Sequence, residues 1–201
     1  MGRIMSLRGT VPLTIGSLSA YGAGGLHQIF EYESPNRKRA WKVKKAVMWV
    51  QEALVGSGAA DARMLLQTAL TTDGYDSELK ITDAGSARRW ERAIGPGDNR
   101  TIGWGLTDYG NRDNVSADWI MPHGAATDMG NNLVLDPDRL VTSALYIASF
   151  SVIEGGTTLG PFQMGYCIEL EEQTITPVQS LFQQIKGMGQ DTTQPPIQNY
   201  P

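Results

Sequence analysis

Cysteine and histidine are scarce in this 201-residue chain, and their scarcity excludes several kinds of site. Cys167 is the single cysteine, so the chain cannot form a disulfide framework of its own or a cysteine-rich zinc site. The two histidines, His27 and His123, are far apart and lack the spacing of a metal-binding pair. Apolar runs are far shorter than the ~20 residues of a membrane-spanning helix. We therefore expect no metal site and no membrane span.

Catalytic and phosphate-binding motifs are also missing. The chain has no Gly-x-Ser-x-Gly nucleophile motif and no glycine-rich loop with phosphate-binding spacing. Glu169 and Glu171 share one face of a strand, as paired carboxylates of a glycosidase could, but a hydrated outer face is the preferred explanation. The oxygen ligands between Asp108 and Asn114 leave calcium binding open, although their spacing does not match a dedicated calcium loop. The sequence thus predicts that the protein is not an enzyme and has no cofactor.

Turn residues and alternating patterns are what the sequence does contain. It has 23 glycines and 10 prolines, a share somewhat above the average of about 12%. Between the turn signals, apolar residues alternate with polar ones in several segments, and the helices that a parallel sheet would need are missing. These features predict an all-β fold: an antiparallel β-sandwich in the form of a single jelly roll, with an extended N-terminal arm and a short C-terminal helix.

The clearest strand pattern lies in residues 40–54. A regular strand has a period of two, so its odd positions would form one buried face. Lys45 interrupts that face and indicates a bulge or the exit of the strand from the core. The other odd positions predicted to be buried are Trp41, Val43, Val47 and Trp49.

The last third of the chain is the most regular. Residues 140–152 and 162–175 alternate on either side of a glycine-containing turn, which predicts a hairpin. Thr176 followed by Pro177 predicts the N-cap and first position of a helix that ends near Gly187 or Gly189. Apolar residues then recur with helical spacing and predict one apolar face, made of Val178, Leu181, Phe182 and Ile185.

Three regions follow from these patterns. Residues 1–25 are predicted to form the arm, because glycine, serine and alanine dominate their second half and their apolar residues are too sparse to pack alone. Residues 26–175 are predicted to form the sandwich, and residues 176–201 the C-terminal helix and tail. The arm residues expected to contact a neighbouring subunit are Ile4, Leu7, Val11, Leu13 and Ile15.

Charge is distributed unevenly along the chain. Residues 1–50 have eight basic and two acidic side chains, a net charge of +6, whereas the whole chain has a net charge of −4. The basic residues concentrate around Trp41, and a cationic strand with an interleaved aromatic ring can attract phosphates and stack on bases. A solvated turn explains the same residues equally well. The candidate nucleic-acid-binding residues are Arg37, Lys38, Arg39, Lys42, Lys44 and Lys45.

Two runs in the last third, LDPDRLVTSALYIASFS and GYCIELEEQTITPVQSLFQQIKGMGQD, carry a family resemblance. Together with the earlier RAWKVK strand, they resemble small viral capsid proteins, the jelly-roll coat proteins of uncultivated single-stranded DNA viruses. The resemblance covers about half of the chain. It implies a virion protein that assembles with many copies of itself into a symmetric shell and contacts the viral genome through a local basic patch. An arginine-rich arm, which would package a genome, is missing from this sequence.

Two other interpretations remain open on the residues alone. A carbohydrate- or receptor-binding β-sandwich could use Trp104, Tyr109 and Trp119 to line its site. An extracellular filament subunit could instead insert its arm as a strand into the next copy. The long stretch from Asp108 to Asn132 suits a surface or interface loop under the capsid interpretation.

Overall fold

The computed structural model describes residues 2–13, 16–17, 23–32, 38–50, 63–72, 100–110, 121–122, 131–154 and 162–193. Eleven strands and one helix lie in these ranges. In chain order they are β1 (Ile4–Leu13), β2 (Gly16–Ser17), β3 (Ala23–Glu31), β4 (Arg39–Val50), β5 (Arg63–Thr71), β6 (Thr101–Gly110), β7 (Met121–Pro122), β8 (Asn131–Asn132), β9 (Val134–Leu135), β10 (Ala144–Glu154), β11 (Phe162–Thr174) and α1 (Pro177–Thr193).

The strands form two sheets, and the prediction of an all-β sandwich is confirmed at that level. Sheet I has the order β1-β11-β4-β8. In sheet II, β10 pairs with β5 and β5 with β6; β2 and β3 join the far side of β10, and β7 and β9 pair with β6. All the pairings are antiparallel except the short parallel pairing of β2 with β10.

One apolar core lies between the inner faces of the two sheets. Burial of one valine, leucine or isoleucine side chain contributes roughly 1.5–3 kcal/mol to the free energy of folding. Apolar burial is therefore the main interaction that holds the two layers together. Ile168 of β11 in sheet I and Ile147 of β10 in sheet II are both completely buried. The other buried core residues are Val11, Trp41, Val43, Ala46, Met48, Leu66, Leu70, Ile102, Leu133, Val141, Leu145, Met164 and Leu170.

A β-bulge in β4 exchanges the inner and outer faces of that strand. Lys45 pairs with Glu169 while Val43 pairs with Leu170, so Lys44 is an extra residue opposite β11. The predicted bulge is therefore present. Because the bulge shifts the alternation by one residue, the inner face continues with Ala46 and Met48. The prediction that Val47 and Trp49 are core residues is wrong: both are half-exposed on the outer face.

The segment predicted as an extended arm is largely part of the sandwich. All ten residues of β1 pair with β11, and β3 pairs with β10. Met5, Leu7 and Val11 of β1 pack on the core because they alternate toward the inner face. The first strand of the sandwich therefore begins at Ile4 rather than after residue 25. Leu13 ends β1, whereas Ile15 lies outside the described residues.

The predicted hairpin near the end of the chain is also wrong. Strand β10 pairs with β3 and β5 in sheet II, whereas β11 pairs with β1 and β4 in sheet I. The chain thus crosses from one layer to the other between these two strands. Alternation correctly indicated two half-buried strands, but it carries no information on which strand is the partner of which.

Helix α1 begins as the sequence predicts. The Thr176 hydroxyl accepts a hydrogen bond from the Gln179 backbone N–H at 3.2 Å, and the Gln179 side-chain oxygen accepts one from the Thr176 N–H at 2.9 Å. This reciprocal pair is a capping box. The helix continues past Gly187 and Gly189 to Thr193, so its predicted end is too early. No helix in the described part of the chain is long and apolar enough to cross a membrane.

Candidate functional site

The predicted basic residues lie along β4 and the residues before it. Lys38 is exposed, Arg39 opens the strand, and Lys42 lies on the outer face of sheet I. Lys44 is the bulged residue and Lys45 is also exposed, so the bulge gathers two adjacent lysines at the surface. Arg37 lies outside the described residues. The structure therefore brings at least five of the six predicted cations onto one strand and its approach.

Strand β11 places carboxylates beside these cations. In the strand register, Glu169 lies opposite Lys45 and Glu171 lies opposite Lys42. Two ion pairs form across the strands: Arg39 to Glu172 at 3.0 Å, and Lys44 to Glu171 at 3.3 Å. Their side chains remain partly exposed, and exposed pairs of this kind contribute at most about 1 kcal/mol. Their main effect is on local charge, since three glutamates offset most of the positive charge of β4.

Trp41 is a core residue and not a surface ring among the cations. It is 4% exposed and belongs to the core, where it packs edge-on against the rings of Phe30 and Tyr32 at centroid distances of 6.0 Å. Edge-to-face packing of this kind stabilises an aromatic core. The burial predicted for Trp41 from the alternation is therefore confirmed, whereas a ring held in this way has no free face on which a base could stack.

Trp49 is the aromatic ring on the outer face of the same sheet. It lies opposite Gly165 in the strand register, and a Cβ atom at position 165 would lie 2.5 Å from Cε2 of Trp49. The indole therefore covers the glycine backbone at the distal end of β4. The alternation signalled a bulge at Lys45, but the prediction for Trp49 assumed that the residues beyond it keep the same face, whereas the bulge moves them to the other one.

Arg8 is a further cation on this face that sequence analysis did not single out. It pairs with Cys167 in β11, and Cys167 pairs in turn with Val47 of β4. The Arg8 Nε donates a hydrogen bond to the Ser6 hydroxyl at 3.3 Å, and the side chain is exposed. The signal for it was the alternation of β1, which places even-numbered residues outward once the segment is treated as a strand.

The outer face of sheet I is therefore a surface of mixed charge with an aromatic ring at one end. It can contact a polyanion through Arg8, Lys42 and Lys45, for which no ion pair is found among the described residues. Contacts of this type would be weak and sensitive to salt, because glutamates lie between the cations.

A second surface lies on sheet II around Trp104. This half-buried residue of β6 pairs with Val134 of β9, which is 58% exposed, and Leu106 of the same strand is 67% exposed. Tyr109, a second residue proposed for a carbohydrate site, lies in the same strand. Trp119, the third, lies outside the described residues.

Two arginines are buried although no sequence pattern indicated their burial. Arg100 is 7% exposed and Arg139 is 4% exposed. The Arg139 Nη2 donates a hydrogen bond to the Thr72 hydroxyl at 3.3 Å, and the Thr72 N–H bonds to the Arg100 carbonyl at 3.1 Å. These bonds tie the end of β5 to the segments before β6 and before β10, which is a structural role.

Within the described ranges, no cluster of three or more histidine, cysteine, aspartate or glutamate side chains could hold a metal ion. Most of the acidic stretch proposed for calcium, and His123, lie outside those ranges. No protein-family model matches the chain, and a search of curated proteins finds no relative. The resemblance to viral coat proteins therefore stays a prediction.

Proposed function

We propose that the protein is a capsid protein that assembles with many copies of itself into a symmetric shell, and that its sandwich is a single jelly roll. The order of the strands in the two sheets supports the jelly-roll part of this proposal, and the long edge of sheet I supports the self-assembly part. The resemblance of the C-terminal third to small viral coat proteins adds to it.

The strand order is the one expected of a long hairpin wound into two layers. Eight strands would make up this hairpin: β1, β3, β4, β5, β6, β8, β10 and β11. The first pairs with the eighth, the second with the seventh, the third with the sixth, and the fourth with the fifth. Nested pairing of this kind is what a jelly roll requires, and its two sheets then have the orders 1-8-3-6 and 2-7-4-5, as in sheets I and II.

Jelly rolls also occur in lectins and cupins, so the fold alone does not select a function. The long edge of sheet I favours self-association. Among the described residues, β1 pairs only with β11, which leaves its other edge available over ten residues. Edges of this length are surfaces on which another chain can add. In an assembled shell, the partners would be other copies of the chain, and the localisation would be the virion.

Contact with the viral genome is a further part of the proposal. This contact would involve Arg8, Lys42 and Lys45 on the outer face of sheet I. Two of the residues predicted from the sequence, Arg39 and Lys44, are already paired with glutamates. A shell that also relies on contacts between copies does not need this face to bind tightly.

Imaging of the purified protein tests the proposal. We expect uniform closed particles in negative-stain electron micrographs, and a light-scattering mass that corresponds to many copies. Reassembly after dissociation at high salt or low protein concentration would show that the chain assembles without any other component. A protein that sediments as a monomer across the accessible concentration range would refute the capsid proposal.

A carbohydrate-binding module is the second candidate, and the surface around Trp104 favours it. A half-exposed indole beside apolar neighbours can stack on a sugar ring. If this candidate is right, a glycan array gives reproducible hits that are lost in Trp104→Ala and kept in Trp49→Ala. An array without hits would exclude it. The filament interpretation loses support, because β1, the strand that it would donate, pairs with β11 of the same chain. The same pairing counts against β1 as a free arm between the subunits of a shell, so the capsid proposal relies on surfaces other than an arm.

A further inference from the structure

Strand β1 forms one edge of sheet I, and its backbone groups point alternately to the two sides of the strand. The Glu172 N–H donates to the Arg3 carbonyl at 2.8 Å, and these two residues continue the register of β1 with β11 by one position. In an antiparallel pair, every second residue exchanges both of its hydrogen bonds with the partner strand, so the odd-numbered residues of β1 bond to β11. The even-numbered residues therefore direct their N–H and C=O groups away from the sheet.

Four N–H donors of β1 lie on this outward edge. Within the described ranges, β1 pairs with β11 alone, so these donors have no strand partner there. The next outward position is Pro12, which has no N–H group, and proline is typical of a position that faces away from a sheet. The four donors belong to Ile4, Ser6, Arg8 and Thr10, whose side chains are all exposed.

We propose that this edge pairs with the same edge of a second copy, antiparallel about a two-fold axis at Leu7, so that two copies of sheet I become one continuous sheet. The inference rests on the proposed self-assembly and assigns one of its interfaces. This axis sets Ser6 opposite Arg8 of the second copy, and Ile4 opposite Thr10. Each copy then donates its four outward N–H groups to the other. The resulting eight bonds fall within the about 10 ± 5 direct hydrogen bonds of a typical protein interface.

Charge selects this register over its neighbours. An axis at Arg8 also uses all four donors, but it sets Arg8 directly opposite its own copy, and like charges at opposite positions are destabilising. An axis at Ser6 leaves the Thr10 N–H beyond the end of the second copy's strand, because β1 begins at Ile4. The axis at Leu7 uses all four donors and makes the two arginines diagonal neighbours.

Glu169 supplies a carboxylate for the arginine of the second copy. It is exposed and lies opposite Ser6 in β11, and among the described residues it forms no ion pair. Arg8 of the second copy, Ser6 and Glu169 therefore lie side by side across three neighbouring strands of the outer face. At a strand spacing of ~4.8 Å, the Cα atoms of the arginine and the glutamate are about 10 Å apart, and the small serine lets their long side chains meet above it. Contact with a genome would then fall to Lys42 and Lys45.

Apolar contacts continue across the inner face of the paired edges. Met5 and Leu7 pack on the core but are only partly buried at the edge. At the axis, Leu7 lies opposite its own copy as a non-hydrogen-bonded pair, in which the side chains come closer together than in the hydrogen-bonded kind. Met5 lies opposite Gly9 of the second copy. Backbone, charge and apolar contacts thus all favour a second copy of this chain as the partner.

Charge reversal followed by mixing tests the ion pair between copies. Arg8→Glu and Glu169→Arg each bring like charges together on both sides of the axis, so each variant alone should need a roughly tenfold higher concentration to associate. An equimolar mixture should associate close to the wild-type concentration, because each copy then meets the opposite charge on its partner. Mixing cannot restore a pair that forms within one chain. Lys42→Glu, two strands from the edge, is the matched control and should associate like the wild type; sedimentation equilibrium measures all of these samples.

A proline variant tests the backbone pairing. Ser6→Pro removes an outward N–H and keeps the bonds to β11, so the sandwich should still fold. We expect it to abolish association through this edge, whereas Ser6→Ala keeps the N–H and should associate like the wild type. Urea unfolding of both variants at low concentration verifies that each is folded.

A cysteine cross-link tests the position of the axis. In a Cys167→Ser background, Leu7→Cys should give a disulfide-linked dimer on oxidation. The two Cα atoms of such an opposite pair are about 4.5 Å apart, which a disulfide can span. Thr10→Cys is the control and should not cross-link, because roughly 20 Å of strand separates position 10 from its own copy.

The outcomes separate this inference from the capsid proposal. If the wild type associates, three results overturn the edge pairing and leave the capsid proposal intact: no recovery on mixing, normal association of Ser6→Pro, or no cross-link at position 7. A wild-type protein that never self-associates overturns both, and it would mean that another part of the chain or a different partner covers the edge.

Discussion

The change of face in β4 gives the sharpest test of the fold. The sequence pattern and the structure disagree on which of two adjacent residues, Val47 or Met48, is buried. Regular alternation puts Val47 in the core and Met48 outside. The bulge at Lys44 reverses this, leaving Met48 1% exposed and Val47 half-exposed. Truncation of each side chain to alanine therefore distinguishes the two arrangements.

The expected magnitudes differ several-fold. Replacing a buried methionine by alanine costs about 2–5 kcal/mol, because apolar burial is lost and a cavity remains. Val47→Ala removes two carbon atoms from a half-exposed side chain, so it should cost about 1 kcal/mol or less at ~0.8 kcal/mol per buried CH₂. For a chain of this size, 1 kcal/mol corresponds to about 2–4 °C in Tm, so a 3 kcal/mol loss lowers Tm by roughly 6–12 °C.

Urea unfolding followed by far-ultraviolet circular dichroism measures both free energies of unfolding. The protein should be kept below the concentration at which it associates, because self-association stabilises the folded state. Met48→Leu is the control for shape: it conserves volume and should cost less than about 1.5 kcal/mol. A larger loss for Val47→Ala than for Met48→Ala would refute the bulged register of β4.

Three further predictions concern the outer face of sheet I and the helix. Gly165→Ala should lower the free energy of unfolding by about 1–3 kcal/mol, because its Cβ atom would lie 2.5 Å from Cε2 of Trp49 and force the ring to move; an unchanged free energy of unfolding in urea titrations would contradict the close contact. Thr176→Ala should cost about 1 kcal/mol through loss of the capping box, while Thr176→Ser should restore most of it; thermal unfolding checks this, and an unchanged Tm would count against the cap. If single-stranded DNA binds sheet I, the double variant Lys42→Ala/Lys45→Ala should lower the steepness of the plot of log K against log salt concentration by about 0.7 for each lost phosphate contact. Lys44→Ala should reduce it less, because Lys44 is paired with Glu171; equal slopes in fluorescence anisotropy titrations would refute that distinction.

Secondary structure was largely predictable from local patterns. Alternating residues indicated β4, β10 and β11, Lys45 signalled an interruption in β4, and Thr176 with Pro177 marked the start of α1. These features depend on neighbours within a few residues, namely side-chain alternation, proline geometry and capping hydrogen bonds. Local patterns do not separate helix from strand in residues 62–71, and pairing with β10 and β6 makes residues 63–71 a strand.

The candidate site was predictable only in part, because its charge depends on residues distant in sequence. The cations of β4 are visible in the sequence, but Arg39 and Glu172 are 133 residues apart and meet only because β4 and β11 are neighbours. Arg8 joins the same face through the pairing of β1 with β11. A run of basic residues in the sequence does not show that a distant strand places carboxylates beside it.

Local sequence therefore indicated the strands β4, β10 and β11, the start of the helix and the presence of one apolar side on it. Only the tertiary structure decided that the first strand belongs to sheet I, that β10 and β11 lie in different layers, and that the helix presents its apolar side outward. The physical reason is the range of the interactions: alternation and capping act between near neighbours, whereas strand partners and exposed faces result from contacts between segments far apart in the chain.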